Sequence, residues 1–376
     1  GGKGNDTLYG VDGNDIIKGG SGSDTVSYAG TVIGVTVDFV QKKGFVGVET
    51  DTYDSIENAV GSSFDDVFVS DLNVSNKIDG GDEAANAEIN GDSISYANVT
   101  VTSTKEALDK VVVNLSGSTT ADGYYAAKIY QNGSVLTTDY LKNMENITGS
   151  KGNDTITGDI DKNTLLGGDG DDILDGKEGS DFIDGGLGND TISYEGRSVS
   201  VTVNFNTLRA TTSNETDTFQ QIENAIGGTL DDTFIMNQDY VDNTIDGKEG
   251  TNTISYETYT NGVKVNLSTA NAQTVLADTA SITTQHQIQD HDIDTILSIQ
   301  NITGTAKDDT FMGSSVSNSI SGGKGNDTFI AGTDTNNDGI KDAWGTGDGV
   351  DEFDGGDDED WADYSVIADD STDSTF

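Results

Sequence analysis

Residues Gly149–Ser193 read GSKGNDTIT, GDIDKNTLL, GGDGDDILD, GKEGSDFID and GGLGNDTIS, which are five nine-residue units joined without a gap. Each unit begins with glycine, has Asp or Asn at its sixth position and has an aliphatic residue at its eighth. The sixth positions hold Asp154, Asn163, Asp172, Asp181 and Asp190. A repeat of fixed period predicts a stacked architecture in which every unit adopts the same local structure.

The two parts of the unit predict different local structures. Glycine reaches backbone conformations with positive φ, so the first six residues can form a tight turn in which several carbonyl oxygens face one point. A carboxylate at the sixth position can join them, and these are the oxygen ligands that Ca²⁺ selects. The last three residues are polar, aliphatic and polar, which predicts a short strand with one inward side chain. We therefore expect a parallel β-coil whose thin core needs bound ions to fold; a flexible linker rich in Gly and Asp is the alternative.

The pattern GGxGxDxUx, in which U is aliphatic, resembles the nonapeptide of the repeats-in-toxin (RTX) family. That resemblance implies a parallel β-roll in which two units form one turn, and each Ca²⁺ lies between one loop and the loop two units later. It places Asp154, Asp172 and Asp190 on one edge, and Asn163 with Asp181 on the other. Because Asn163 replaces the usual Asp, the ion beside it should be weak or missing. The predicted fold class is all-β, a parallel β-roll or β-solenoid of nonapeptides interleaved with wider β-coil modules.

Further units extend the predicted calcium sites along the chain, beginning with three regular units at Gly1–Ser27. The predicted carboxylate ligands are Asp6, Asp15, Asp24, Asp66, Asp92, Asp154, Asp172, Asp181, Asp190, Asp232, Asp309, Asp327, Asp351 and Asp360. The glycines predicted to supply loop geometry and carbonyls are Gly2, Gly4, Gly20, Gly22, Gly168, Gly170, Gly186, Gly188, Gly323 and Gly325. Asparagine stands at the sixth position in Asn76, Asn243, Asn252 and Asn318. Asparagine bonds to its own backbone, so these turns are predicted to form without a strongly bound ion.

A calcium loop of another type is predicted at Asp334–Asp342, which reads DTNNDGIKD. Its expected ligands are Asp334, Asn336, Asp338 and Asp342, with the carbonyl of Ile340. Gly345 stands where an EF-hand has its bidentate Glu. The loop is therefore more similar to those of dockerins or thrombospondins, and a solvated turn is the alternative.

Longer modules separate the repeat blocks, and each begins with a Ser-Tyr pair. Tyr28–Val60 and Tyr194–Ile226 align without a gap, which indicates a duplication, and looser copies cover Tyr96–Thr148 and Tyr256–Thr303. They are similar to segments of large calcium-binding RTX surface proteins, and their period-two alternation predicts strands. We expect them to continue the solenoid with wider coils; separate small domains are the alternative. The predicted segments are 1–27, 28–95, 96–148, 149–193, 194–255, 256–303 and 304–363, with 364–376 a truncated tail.

The composition excludes several classes of protein. Asp and Glu number 66 against 19 Lys and Arg, and the resulting net charge of −47 opposes binding to nucleic acid or to an anionic membrane. Cysteine is absent, which excludes disulfides and thiolate sites. No apolar run reaches the ~18 residues of a membrane-spanning helix. The chain starts inside a repeat, so we expect it to be a segment of a longer protein.

The sequence offers no recognisable active site. Its only histidines, His286 and His291, are five residues apart rather than the four that place two ligands on one helix face, and HExxH is absent. The nucleophile-elbow motif GxSxG is also absent. Acidic pairs such as Asp65-Asp66 fall on the fifth and sixth repeat positions, where metal binding explains them. We therefore expect no enzymatic activity.

These observations favour a structural segment of a secreted bacterial cell-surface RTX protein: an adhesin, surface-layer or matrix component that folds on binding Ca²⁺. The resemblance implies an extracellular location and export by type I secretion. The expected partners are calcium ions, and self-association or a surface ligand stays open. One alternative is an accessory calcium-binding and secretion module of an RTX exoenzyme or toxin. Another is a subunit of a self-assembling extracellular lattice or fibre.

Overall fold

A computed structural model describes residues 1–72, 74–81, 90–97, 110–238, 241–267, 273–277, 293–314, 316–330 and 352–363. These residues form strands, turns and bends, and they contain no helix long and apolar enough to cross a membrane. The chain divides into two compact units. Unit 1 contains Gly1–Ser193 and Glu215–Ile222, and unit 2 contains Tyr194–Asn214 and Glu223–Phe376.

The strands are numbered in chain order. Those of unit 1 are β1 (Gly2–Lys3), β2 (Thr7–Tyr9), β3 (Ile16–Lys18), β4 (Gly20–Ser21), β5 (Thr25–Ser27), β6 (Val35–Asp38), β7 (Lys43–Val46), β8 (Glu49–Asp54), β9 (Asn58–Val60), β10 (Val67–Val69), β11 (Lys77–Asp79), β12 (Ser93–Ser95), β13 (Lys110–Asn114), β14 (Tyr125–Gln131), β15 (Ser134–Lys142), β16 (Asn146–Thr148), β17 (Thr155–Thr157), β18 (Thr164–Asp169), β19 (Ile173–Asp175), β20 (Phe182–Leu187), β21 (Thr191–Ser193) and β24 (Thr216–Gln220). Those of unit 2 are β22 (Thr202–Asn204), β23 (Arg209–Thr211), β25 (Asn224–Ile226), β26 (Thr233–Ile235), β27 (Thr244–Asp246), β28 (Thr253–Ser255), β29 (Val263–Asn266), β30 (Gln273–Ala277), β31 (Ile293–Leu297), β32 (Asn301–Thr303), β33 (Thr310–Met312), β34 (Ser319–Ser321), β35 (Thr328–Ile330), β36 (Glu352–Asp354) and β37 (Trp361–Asp363).

The central block Gly149–Ser193 adopts the parallel roll that its period predicts. Its strands alternate between two sheets, with β17, β19 and β21 in one and β18 and β20 in the other. Ile156 pairs with Leu174, and Leu165 pairs with Ile183, so each residue stacks on the residue two nonapeptides later. The eighth-position side chains are fully buried. One aliphatic residue per unit therefore forms the core, which is as thin as the sequence indicates.

Unit 1 has two large sheets, which are mostly parallel, and a separate parallel pair, β1–β4. The first has the order β2-β5-β9-β11-β15-β14-β13-β17-β19-β21. The second has the order β3-β8-β7-β6-β10-β12-β16-β18-β20-β24. The antiparallel pairs are β6–β7–β8 in the second sheet and β13–β14–β15 in the first.

Unit 2 is built in the same way from two sheets. One has the order β23-β22-β26-β28-β32-β34-β36, and only β22–β23 is antiparallel. The other has the order β25-β27-β31-β30-β29-β33-β35-β37, and its antiparallel strands are β29–β30–β31. The fold class is therefore all-β, a parallel β-roll with antiparallel insertions.

The modules enter these sheets as antiparallel meanders, where the sequence predicts wider coils. In the first module, β8 pairs with β3 and β6 pairs with β10, so the chain moves ahead along the sheet, turns back and then resumes the roll. The hairpin connections make this possible, because an antiparallel neighbour needs only a short turn. In unit 1 the first module adds its meander to one sheet and the second module adds its meander to the other. Each of the two sheets consequently contains ten strands.

Candidate metal sites

The sixth-position residues stack along the edges of the roll. The backbone amide of Asp154 donates to Oδ1 of Asp172 at 2.6 Å, and the amide of Asp172 donates to Oδ1 of Asp190 at 2.8 Å. Asn163 and Asp181 make the same contact at 2.8 Å on the other edge. The stacking implied by the RTX resemblance is therefore observed. Elsewhere the amide of Asp6 contacts Asp24 at 2.8 Å, Asp66 contacts Asp92 at 2.7 Å, Asp309 contacts Asp327 at 2.8 Å, and Asp327 contacts Asp360 at 3.0 Å.

In four of these residues the second carboxylate oxygen, Oδ2, is buried and accepts no hydrogen bond. They are Asp6, Asp24, Asp172 and Asp327. A buried carboxylate oxygen without a donor or a cation is strongly unfavourable. The position of each Oδ2 therefore indicates a ligand with positive charge.

In the units of these four aspartates, the first glycine leaves the space that such a ligand needs. A methyl group on Gly167 would collide with Oδ2 of Asp172 and with the carbonyl oxygen of Gly185 from the next layer. The same holds at Gly19, where Asp24 and the carbonyl of Ser55 are the neighbours. Two oxygens that face each other in this way repel unless a cation lies between them. Carboxylate and carbonyl oxygens fit Ca²⁺, which binds six to eight such ligands.

Burial also perturbs these carboxyl groups. It raises the pKa of Asp172 to about 8, and the charges of Asp154 and Asp190 act in the same direction. Burial likewise raises the pKa of Asp327 to about 7. Without a compensating charge, both groups would hold a proton near neutral pH. A bound cation would displace that proton, so its affinity would rise with pH.

The predicted loop glycines have the backbone geometry that the turn requires. All ten have positive φ, for example 119° at both Gly168 and Gly170. At Gly168 a methyl group would collide with the carbonyl of Ser150 in the preceding layer. Glycine is thus required at this position both by the turn and by the close stacking of layers.

Four sixth-position aspartates form a different class, because hydrogen bonds from the protein satisfy both of their oxygens. They are Asp66, Asp154, Asp232 and Asp309. In each, Oδ2 accepts the amide of the second loop residue: Ser62, Ser150, Gly228 and Thr305. Oδ1 accepts the amide of a module valine: Val35 at 2.6 Å, Val111 at 2.5 Å, Val201 at 2.8 Å and Val263 at 2.7 Å. Sequence reasoning predicted all four as metal ligands and gave no sign of this difference.

Asparagine at the sixth position makes a contact that a carboxylate cannot make. Nδ2 of Asn163 donates to the carbonyl of Glu145 at 2.9 Å, and Asn318 contacts Gln300 in the same way at 2.8 Å. Asn76 contacts Glu57 at 2.7 Å, and Asn243 contacts Glu223 at 2.5 Å. These carbonyls belong to the repeated module motif that reads SIEN in its first copy. The carboxamide nitrogen therefore bonds directly to the preceding layer.

Sequence reasoning missed a set of buried aspartates in the modules: Asp51, Asp139, Asp217 and Asp294. Each occupies the sixth-position place of the next layer, since it accepts the amide of Asp15, Asn76, Asp181 or Asn243 at 2.8 to 3.1 Å. A signal for them does exist. Each lies six residues before the Glu or Gln of the SIEN-like motif. This spacing is not part of the nine-residue period, so the repeat pattern alone does not reveal these residues.

The remaining predicted ligands are placed as follows. Asp15 is half-buried, Asp92 and Asp181 are buried, and Asp360 is half-buried. Asp334, Asn336, Asp338, Asp342 and Asp351 lie outside the described residues. Within the described part of the chain, no three Asp, Glu, His or Cys side chains converge into a metal site by themselves. Backbone carbonyls must therefore supply much of any coordination shell.

A family model for the RTX calcium-binding nonapeptide repeat matches four segments of the chain, residues 1–29, 144–174, 157–192 and 303–337. The chain contains RTX calcium-binding repeats. These RTX segments include Asp6, Asp24, Asp172 and Asp327, whose Oδ2 atoms accept no hydrogen bond. Calcium is therefore the cation that fits the RTX loops, and repeats of this type bind it at multiple sites. No curated protein matches the chain.

Proposed function

We propose that this chain is a calcium-dependent structural segment of a secreted bacterial cell-surface RTX protein, an adhesin, surface-layer or matrix component. The observation that carries the proposal is the set of buried Oδ2 atoms without hydrogen-bond donors, at Asp6, Asp24, Asp172 and Asp327. They leave the fold incomplete without a cation. The role is structural rather than enzymatic, and type I secretion delivers the chain to the extracellular space.

The mechanism is thermodynamic linkage between ion binding and folding. Calcium supplies positive charge at the loops; the sixth-position carboxylates and loop carbonyls hold it, and the loop glycines allow the layers to approach. An ion that binds only the folded chain contributes roughly 2.7 kcal/mol at a hundredfold excess over its Kd. Such contributions add along a stack of repeats. Where calcium is scarce, the net charge of −47 and the thin core favour an unfolded, exportable chain.

Circular dichroism during a calcium titration tests the linkage, with magnesium as the control at equal ionic strength. We expect β-structure to appear with calcium and much less with magnesium, because Mg²⁺ demands a rigid octahedral shell and releases water reluctantly. Equal structure in chelator and in calcium would contradict the mechanism. Antibody labelling of intact bacteria that produce the parent protein tests the location, and a signal only after permeabilisation would contradict surface display.

A further inference from the structure

Asn252 is the sixth-position residue of the unit Gly247–Ser255, and its backbone stacks as the aspartates do. Its Oδ1 accepts the amide of Asp232 at 2.9 Å. Its own amide donates to Oε1 of Gln300 in the next layer at 2.7 Å. The side chain is fully buried. It differs from an aspartate in this position only by an NH₂ group in place of Oδ2.

That NH₂ group lies among three backbone carbonyls. Nδ2 donates to Gly247 at 2.9 Å, to Glu249 at 3.1 Å and to Ser298 at 3.0 Å. Gly247 and Glu249 are the first and third residues of its own loop, and Ser298 belongs to the next layer. Three carbonyls around one buried nitrogen form a set of oxygen ligands of the kind that surrounds a hard cation. An Oδ2 in place of Nδ2 would lie 2.9–3.1 Å from each carbonyl oxygen, a separation that suits neighbouring oxygen ligands of one calcium ion.

The layer of Asp24 provides the charged counterpart. The amide of Asp24 donates to Oε2 of Glu57 at 2.9 Å, as that of Asn252 donates to Gln300. The carbonyl of Ser55 faces the loop, as that of Ser298 does in the other layer, and both serines have positive φ, 57° and 56°. The two layers thus match in backbone and in contacts. One has two carboxylates and an Oδ2 that accepts no hydrogen bond; the other has two carboxamides and an Nδ2 with three acceptors.

We propose that the carboxamide of Asn252 takes over the role of a calcium ion, and that Asn252 and Gln300 together make this layer independent of metal. This inference rests on the proposed calcium binding and adds which layers exclude the ion. Its physical basis is the sign of the charge at one atom. An oxygen at the Nδ2 position would repel the three carbonyls and need a cation, whereas the NH₂ group bonds to them directly. Replacing Asn252 with Asp and Gln300 with Glu should therefore turn this layer into a calcium site.

Reciprocal exchange of the two layers tests the proposal. The variant Asn252→Asp with Gln300→Glu should bind one more calcium ion per chain than the wild type. The variant Asp24→Asn with Glu57→Gln should bind one fewer. Equilibrium dialysis followed by atomic absorption measures bound calcium, and circular dichroism in excess calcium checks that each variant is folded. Hydrogen exchange at the lowest calcium concentration that keeps both chains folded should show more amide protection of the loop 247–252 in the wild type than in the Asn252→Asp, Gln300→Glu variant.

The outcomes separate this inference from the proposed function. A wild type that binds no calcium would contradict the proposed function itself. If the wild type binds calcium but the ion number is unchanged in either exchange variant, the inference is overturned. Failure of the Asn252→Asp, Gln300→Glu variant to fold at any calcium concentration also overturns the inference, because a bound ion would then not compensate for the loss of the NH₂ group. Asn252→Ala is the matched control: it should lower stability while leaving the number of bound ions unchanged.

Discussion

The Asp172 layer and the Asp51 layer show two ways to bury a carboxylate at the same place in a roll. Both residues accept a sixth-position amide through Oδ1, at 2.6 Å from Asp154 and at 2.8 Å from Asp15. Their second oxygens differ. Oδ2 of Asp172 accepts no hydrogen bond, whereas Oδ2 of Asp51 accepts the hydroxyl of Tyr28 at 2.8 Å. The repeat layer therefore requires a cation, and the module layer carries its own donor.

The tyrosines of two Ser-Tyr pairs, Tyr28 and Tyr256, donate hydrogen bonds to buried module aspartates. Tyr28 is fully buried, and its hydroxyl also lies 2.6 Å from that of Tyr53. Burial raises the pKa of Tyr28 far above its ordinary value, so the hydroxyl keeps its proton and remains a donor. Tyr256 makes the corresponding bond to Asp294 at 3.3 Å. In these module layers a tyrosine hydroxyl therefore supplies the donor that the Asp172 layer lacks.

Removal of calcium should give the largest difference between the two regions. As free calcium falls, the block Gly149–Ser193 should lose amide protection before the module strands Val35–Asp54. The reason is that Oδ2 of Asp172 in the block accepts no hydrogen bond, whereas Oδ2 of Asp51 in the module accepts the hydroxyl of Tyr28. Several lost contributions of roughly 2.7 kcal/mol each would be comparable to the 5–15 kcal/mol that stabilises a typical domain. Hydrogen exchange with mass spectrometry across a chelator series measures this order. Simultaneous loss in both regions would show that the modules depend on calcium as much as the repeats do.

Substitution of single repeat aspartates should give the next largest effect. Asp172→Ala removes a cation ligand and leaves the amide of Asp154 without its acceptor. We expect one fewer bound ion and a loss of about 4 kcal/mol of unfolding free energy in excess calcium. The measurements are equilibrium dialysis and urea unfolding.

The matched control is Asp154→Ala, because both oxygens of Asp154 accept protein hydrogen bonds. This variant should lower stability and leave the number of bound ions unchanged. The distinction between the two classes of aspartate would fail if Asp154→Ala removed an ion, or if Asp172→Ala did not.

The contribution of the module aspartate Asp139 to stability should fall as pH rises, whereas the calcium affinity of the repeat loops should increase. Burial raises the pKa of Asp139 from 3.8 to about 6, and the Ser70 hydroxyl and the Asn76 amide, which bond to the carboxylate, act in the opposite direction. The folded chain therefore binds this proton more tightly than the unfolded chain does. The resulting stabilisation is present below about pH 4 and is lost as pH rises through about 6, on the order of 3 kcal/mol.

The variant Asp139→Asn isolates this contribution, because its amide mimics the protonated acid. Urea unfolding in excess calcium should show the wild type losing stability relative to Asp139→Asn between pH 4 and pH 7. The difference between the two chains cancels the calcium ligands, which titrate in both. Parallel pH profiles would contradict the assignment.

How much the sequence predicts depends on how local each contact is. The coil, its buried eighth position and its stacked edges follow from the period, since every unit repeats the same bonds to the unit two places later. The antiparallel meanders do not, because period-two alternation indicates strands without giving their direction. The repeat pattern also does not show that Asp154 and Asp172 differ in their hydrogen bonds, because both residues end GxxGxD turns. The difference is an amide that Val111, 43 residues away, donates to Asp154. Asp51 was missed because its partner, Tyr28, lies 23 residues away in a different motif.

The smallest expected effect comes from the tyrosine hydroxyl itself. Tyr28→Phe removes the donor to Asp51 and leaves a buried carboxylate oxygen without a partner from this side chain. We expect a loss of about 2 kcal/mol of unfolding free energy. The loss should be the same at all calcium concentrations that keep the chain folded, because no ion takes part in this layer. Tyr256→Phe should cost less, since its bond to Asp294 is longer at 3.3 Å. If the cost of Tyr28→Phe instead falls as calcium rises, an ion can substitute for the hydroxyl, and the module layer would then share the calcium dependence of the repeats.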